Sequence, residues 1–527
     1  MPSLVTWAES FSEGFARFSK VQLHWWMLLL LVVDAFGLFL GVSIAGDGNW
    51  FFAIAIFLTL ALINLVMLVP GLWPLRWISP ALGLMLILSV YPLIYTVYVA
   101  FTNFSDGHRF TKTEALELLA ERRYLPEDSA AYEWALFQND AGQFALWLTN
   151  EDGESFFARP DIPLERVTPN AAGSIPATYD DYRQLEGGER FRAINDIEDM
   201  TFGDSTEAVG VRSANTAGAF VQQWVYDEET DTLTDRSTDT IYTPNGETGE
   251  FVAPNGETAP IGYWVVVGFE NFDEILSTTT SQGPLLRVFL WTLGFAVIGS
   301  LTGFALGLVM AIILDGEATW LRLVRTLMII PYAVPGLVSV LVWRGMLNAN
   351  VGIIPEVLDT LFGWSPPFST DQWWAKIAIL LVNLWFAAPY FMLIASGALQ
   401  SIPSSIYEAA RVDGANLWVQ FWSMTLPLVL VALGPLIIAS IIFNFNNYFI
   451  MEGLFQGGPP IAGTSAPPVG HTDNLISYTY RLAFSAGGTR DYGLASALAV
   501  IIFMIVGALT LIQFRLMGTW EEVSENV

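Results

Sequence analysis

A lipid-spanning helix needs about 20 consecutive, predominantly apolar residues. This 527-residue chain offers eight runs of that order: Trp25–Ile44, Trp50–Val69, Ile78–Phe101, Leu290–Leu314, Leu327–Trp343, Ile377–Leu399, Leu428–Ile450 and Leu494–Phe514. Inside hydrocarbon every backbone N–H and C=O must be satisfied within the protein, so such runs can cross only as helices. Charged residues make up 14% of the chain and hydrophobic ones 53%, against about 25% charged in soluble domains. The sequence is expected to be an all-α polytopic membrane protein with eight transmembrane helices. The first two runs are too long, and too closely followed by another, for a cleaved signal peptide.

Several function classes are disfavoured at once. With no cysteine there is no disulfide framework and no thiolate metal site. The three histidines, His24, His108 and His471, are scattered, so no metal site is expected. No serine carries glycine at both −2 and +2, as a nucleophile elbow would. The three lysines, Lys20, Lys112 and Lys376, do not follow glycine, so a phosphate-binding Walker loop is missing. No cofactor is expected on this chain, and no nucleic-acid partner.

Charge is concentrated in one place. From Thr102 to Gly283 there are 34 acidic and 11 basic side chains, a net of −23 out of −28 for the whole chain. That length suits an independent domain. The expected organisation is an N-terminal tail with three spans (1–101), an acidic extracytoplasmic domain (102–283) and a five-span region (284–527). Within the acidic domain Lys112–Arg123 reads as a helix. Phe220–Tyr226 and Ile241–Tyr242 read as strands of hairpins, giving an inserted α+β domain. The pentapeptide Pro244-Asn245-Gly246-Glu247-Thr248 recurs as Pro254-Asn255-Gly256-Glu257-Thr258. Asn-Gly favours a type I′ turn, and both copies read as surface turns. So much acidity suits a protein working in high salt.

One polar helical segment, residues 401–427, lies between the sixth and seventh apolar runs. Pro403 suits a helix start, and Ser404 or Ser405 could cap it. Glu408-Ala409-Ala410 follows near the N-terminal end, then Asp413-Gly414 at a turn, then Leu426-Pro427 re-entering the membrane. Together these resemble the EAA loop of ABC-importer permeases, a cytoplasmic helix that docks on an ATPase subunit. By that resemblance Glu408, Ala409, Ala410, Asp413 and Gly414 form the ATPase-coupling site. Loop charge agrees: an inside N-terminus places Arg17, Lys20, Arg76, Arg322, Arg325, Arg411 and Arg515 in or beside cytoplasmic segments.

The resemblance extends further. Phe101-Thr102-Asn103-Phe104-Ser105 and Gly268-Phe269-Glu270-Asn271-Phe272 look like two neighbouring pieces of a sugar-importer permease, with the acidic domain inserted between them. With Ser440–Asn447 (SIIFNFNN) and Asn474–Phe484 (NLISYTYRLAF), the chain resembles the larger permease subunits of maltose/maltodextrin ABC importers (MalF type). This implies an ABC type I importer permease fold in the bacterial inner membrane, with the acidic domain in the periplasm. It also implies a second permease subunit (MalG type), two ATPase subunits (MalK type) that bind ATP and Mg, and a periplasmic sugar-binding protein. The chain itself would be a translocation subunit and not an enzyme.

Two intramembrane stripes carry the candidate chemistry. Asn383, Phe386, Ala387 and Tyr390 recur at helical spacing on the sixth run, and Ser440, Phe443, Asn444 and Asn447 on the seventh. Buried amides are costly unless they face protein or a wet cavity. Amides and hydroxyls suit sugar hydroxyls, and rings suit the apolar faces of a sugar. The same groups also bond helices together, and from the residues alone both readings stand. The resemblance implies sugar contact at these positions, with departures at Phe386 and Ala387, where leucine and glycine are usual.

The remaining features read as structural. Gly299, Gly303 and Gly307 would admit a neighbouring helix. Asp34 would be a packed or snorkelling carboxyl, and Pro331 and Pro335 would kink the fifth run. A membrane sensor would need a cytoplasmic signalling domain, and a membrane-anchored enzyme a convergent acid–base set. Neither is evident. An importer of another disaccharide or α-glucoside is the nearer alternative.

Overall fold

In a computed structural model of the chain the apolar runs are helices. The structure describes residues 20–126, 131–169, 174–197, 200–204, 207–211, 213, 215–278, 283–316, 318–463, 469–484 and 490–525. Arg17 lies outside them. The chain divides into a helical unit, Met1–Thr102 with Gly268–Val527, and a second unit, Asn103–Val267. The upper limit of the acidic segment therefore moves from 283 to 267. Glu270–Thr278 is a helix of the helical unit, because Asn271 Nδ2 donates to the carbonyls of Ala100 (3.0 Å) and Thr102 (2.8 Å). Phe101 meets both Phe269 and Phe272 at 5.2 Å between ring centroids. The two sequence pieces flanking the insert are thus closed on each other by a buried amide and three rings.

Among the described residues seven helices are long and apolar enough to cross a membrane. They are Met27–Gly46, Trp50–Leu68, Ser79–Val99, Pro284–Ile313, Gln372–Ser401, Leu417–Phe445 and Tyr492–Leu516. An eighth crossing exists if Thr319–Tyr332 and Gly336–Met346 count as one bent span. The run expected as one kinked helix, Leu327–Trp343, is broken outright. Helices end at Met328 and Ala333, and a new one starts at Gly336 with Pro335 at its N-cap. Proline lacks the N–H that a continuous ladder requires and disfavours helix in the residue before it. The run expected through Ile450 also breaks: Leu426–Phe445 ends, and Tyr448–Phe455 begins with Asn447 as its N-cap. The Asn447 carboxamide oxygen accepts the Ile450 N–H at 3.2 Å, the capping geometry that terminates one helix and opens another. Asp34 is partnered, with Asn64 Nδ2 donating to its carboxylate at 2.7 Å between the first two spans.

The second unit is β-rich. One sheet runs in the order Ile162–Val167, Ser155–Arg159, Phe144–Thr149, Ala131–Asn139, Tyr182–Gln184, Thr178–Tyr179, and Thr216–Ala219 also pairs with Ala131–Asn139. Alternation along the strands separates two cores, since successive side chains point to opposite faces. Trp134, Leu136, Leu146 and Leu148 pack with Ala193 and Ile197 of the helix Gly187–Ile197. Phe137, Trp147 and Phe157 pack on the other face with Tyr182. A second sheet, Trp224–Asp227, Thr232–Asp235, Thr240–Asn245 and Glu250–Val252, packs on the helix Lys112–Ala120. That helix opens with a capping box between Thr111 and Glu114.

The repeated pentapeptides are turns, though not type I′. In each copy one glycine or none has positive φ: Gly256 at 86° in the second, while Gly249, after the first, takes 75°. A type I′ turn needs positive φ at both central residues. Instead each asparagine oxygen accepts the N–H two residues on, Asn245 from Glu247 at 2.9 Å and Asn255 from Glu257 at 3.0 Å. These are Asx turns, in which the side chain replaces the backbone carbonyl.

Ion pairs such as Lys112–Asp231, Arg159–Glu165 and Arg183–Glu189 are partly exposed. With 11 basic against 34 acidic side chains in residues 102–283, acidic side chains outnumber basic ones about threefold and repel one another on balance. Salt shortens the screening length from about 10 Å at 0.1 M to about 3 Å at 1 M. The isolated 103–267 segment is therefore expected to melt at a higher temperature in molar potassium chloride than in dilute buffer. Each kcal/mol of relieved repulsion raises Tm by about 2–4 °C at this size. A flat or falling Tm would remove the repulsion argument.

Candidate functional site

The glycine face of Pro284–Ile313 decides where the site forms. A Cβ at Gly303 would stand 2.7 Å from the Ala387 Cβ, and one at Gly307 only 2.5 Å from the Phe391 Cβ and 2.7 Å from the Met392 backbone nitrogen. A Cβ at Gly299 would stand 2.6 Å from Asn383 Nδ2. Only glycine admits the helix Gln372–Ser401 this closely. Ser300, next to Gly299, is fully buried. It accepts from Asn444 Nδ2 at 2.9 Å and from Ser440 Oγ at 3.1 Å. Three spans are thereby joined at one depth.

All eight residues of the two stripes, Asn383, Phe386, Ala387, Tyr390, Ser440, Phe443, Asn444 and Asn447, line one cavity of about 510 Å³. Small-molecule sites span about 300–1,000 Å³. Asn447 reaches the cavity from the helix break and not from the continuous face expected of it. Asn446 is exposed and takes no part in the lining. The buried amide nitrogens of Asn383 and Asn447 have no hydrogen-bond partner among the described residues. Buried donors are almost always paired, with protein or with water, so the two amides in this cavity wall can donate to water or to an acceptor-bearing guest. The rings supply apolar faces: Phe386 meets Phe449 edge-on at 5.9 Å, and Tyr390 stacks on Tyr332 at 6.2 Å.

Sequence reasoning missed Ser300, Tyr332 and Phe449. A hydroxyl amid the apolar run, one residue from the glycine stripe, was the signal for Ser300. Tyr332 and Phe449 come from the broken helices, which periodicity does not anticipate. A larger apolar cavity of about 860 Å³ lies among Trp343, Trp364, Trp374, Trp385 and neighbouring aliphatic side chains. Its lining has no hydroxyl, carboxamide or charged side chain, so it lacks groups to orient a sugar.

The polar segment forms the helix Ser404–Val412 with Pro403 at the N-cap and no side-chain cap. Ser404 and Ser405 do not cap it, because both lie inside the helix and Pro403 already supplies the extended entry. Glu408, Ala409 and Asp413 are exposed, and Ala410 is buried. Gly414 has φ +83°, a left-handed conformation that other residues adopt at a cost. Past this corner Leu417 and Trp418 are 82% and 70% exposed. Charged and apolar groups thus stand together on an open face. The helix is tied to the next span by the Tyr407 hydroxyl, 3.0 Å from Thr425 Oγ1.

Residues 285–518 match the family described as the binding-protein-dependent transport system inner membrane component. Residues 84–159 match the N-terminal part of the transmembrane subunit in PBP-dependent ABC transporters. The maltose/maltodextrin transport system permease protein MalF of Vibrio cholerae is 36% identical over 84% of this chain and 84% of its own length. That of Vibrio vulnificus is 34% identical over the same shares. That of Yersinia pestis is 32% identical over 94% of this chain and 96% of its own. The chain belongs to the MalF permease family. It is accordingly a multi-pass permease subunit of an ABC importer. For this MalF-family chain the two family matches flank residues 160–284, which hold most of the β-rich unit.

Removing one partner of a buried polar contact costs about 1–3 kcal/mol. Asn444→Ala and Tyr390→Ala are expected to reduce transport about tenfold or more, and Asn446→Ala to leave it near normal. Uptake by the assembled transporter is the measurement. Damage by Asn446→Ala alone would show that another helix face does the work.

Proposed function

We propose that this chain is the larger permease subunit of an ATP-driven importer of maltose and maltodextrins. The observation that carries the reading is the single cavity built from two amide-and-aromatic stripes, with the Asn383 and Asn447 nitrogens left unpartnered. Sugar hydroxyls would accept from these amides, and sugar CH faces would lie against Tyr390 and Phe443. The names of the relatives support maltose in particular. Phe386 favours a second reading, another disaccharide or α-glucoside, because its ring takes space in the cavity wall.

In this proposal the chain sits in the bacterial inner membrane, with the acidic unit in the periplasm receiving a sugar-binding protein. A second, MalG-type permease would complete the path. Two MalK-type ATPase subunits would bind ATP and Mg, and this chain would hold no cofactor. Glu408, Ala409, Ala410, Asp413 and Gly414 would dock on one ATPase. Movement of the docked helix would pass through the Tyr407–Thr425 contact into the span that carries Ser440 and Asn444.

Reconstituted with its partners, the transporter is expected to hydrolyse ATP faster when the binding protein carries maltose or maltotriose than when it is empty. A response confined to a different disaccharide would favour the second reading, and no response to any sugar would overturn both. Gly414→Pro and Glu408→Lys should abolish uptake and weaken ATPase co-purification while the subunit still enters the membrane. Normal uptake by both variants would dismiss the docking role.

A further inference from the structure

Asn447 stands in a break between two helices, and each of its hydrogen-bonding groups can be followed. Its N–H donates to the Asn444 carbonyl at 3.1 Å. Its Oδ1 accepts from the Ile450 N–H at 3.2 Å. Its backbone carbonyl accepts from Asn474 Nδ2 at 2.8 Å. Only Nδ2 is left, buried, without a partner, in the cavity wall. The first two bonds tie Asn447 to the helix ends on either side of it, and the Asn474 contact adds a bond from outside both helices.

Asn474 is itself held. It is fully buried. Its Oδ1 accepts from the Ser477 N–H at 2.9 Å, and its own N–H donates to Ser477 Oγ at 3.1 Å. Turning its amide over would set oxygen against the Asn447 carbonyl and NH2 against the Ser477 N–H, two repulsive contacts in place of two bonds. Ser477 Oγ also donates to Asp473 at 2.9 Å. Asp473, fully buried, accepts from Gly470 N–H at 2.7 Å and pairs with Arg481. The neighbouring Leu475 N–H donates to Thr292 at 3.0 Å on the glycine-bearing helix. The anchor therefore rests on a buried, hydrogen-bonded polar cluster tied to the same helix that organises the cavity.

We propose that Asn474 is a positioning residue for sugar recognition: it holds the helix break so that Asn447 Nδ2 faces the sugar. This rests on the sugar-cavity reading above. Asn474 does not line the cavity, so in this proposal it acts only through Asn447. Its loss should therefore weaken sugar recognition more than turnover, and should add nothing once Asn447 is gone.

The test is a double-variant cycle on the full transporter in proteoliposomes, with maltose delivered by the binding protein. Asn474→Leu keeps the size and removes the donor. It is expected to raise the half-saturating maltose concentration about tenfold, as one lost buried partner would, with maximal uptake within about twofold. Asn447→Ala should do the same, and the double variant should be no worse than either. Combined with Tyr390→Ala, the effect of Asn474→Leu should multiply. Unchanged half-saturation in Asn474→Leu, or multiplication with Asn447→Ala, overturns the positioning role. An Asn447→Ala subunit with normal uptake overturns the sugar-cavity reading instead. If Asn474→Leu fails to reach the membrane, Asn474→Asp, which keeps shape and acceptor, is read in the same cycle. Failure of both to insert assigns Asn474 to folding and overturns the proposal.

Discussion

The contact between the glycine face of Pro284–Ile313 and the helix Gln372–Ser401 supports the rest of the permease. At Gly307 even a methyl group would fall within 2.7 Å of the neighbouring backbone nitrogen. Lipid chains are as apolar as leucine, so helices in a membrane gain from close packing and polar contacts, not from hiding apolar surface. Close approach places Asn383 and Ala387 directly on the glycine face. It also leaves Ser300 within reach of Ser440 and Asn444 on a third span. One organising helix thus sets the depth and facing of both stripes.

The polar groups of the two stripes divide into bonded and unpartnered ones. Ser440 and Asn444 donate to Ser300 and hold spans together. Asn383 and Asn447 keep unpartnered amide nitrogens in the same wall. A buried donor with no acceptor is costly, and a rigid frame of satisfied bonds is what allows that cost to persist. The fixed groups keep the free ones in place, which is preorganisation for a polar guest.

The open face on the other side of these spans follows a different logic. Gly414 turns the chain at a φ that side chains disfavour, and the exposed Leu417 and Trp418 come directly after it. Glu408 and Asp413 are exposed on the helix before this turn and at its end. The insertion of the β-rich unit is equally local in its demands. Asn271 and the Phe101, Phe269 and Phe272 rings close the helical unit at the insertion point. A domain can then be carried there without interrupting the membrane core.

Apolar length, glycine spacing and charge were legible in the sequence because each acts locally or at helical period. The spans, the glycine approach, the acidic insert and the polar segment with Gly414 all follow from such signals. The stripe residues could be nominated because i, i+3, i+4, i+7 marks one face of a helix. Where helices break could not be read in the same way. Asn447 scored as the next step of a continuous face, yet its capping bond to Ile450 ends that face. Tyr332 and Phe449 enter the cavity only through such breaks. The tertiary structure alone decided which polar groups are bonded and which are free. Hydrogen-bond partners such as Ser300 for Asn444 and Asn474 for Asn447 lie 144 and 27 residues away. No periodicity along a single chain encodes which of several intramembrane amides will find such a partner, because that depends on distances between helices.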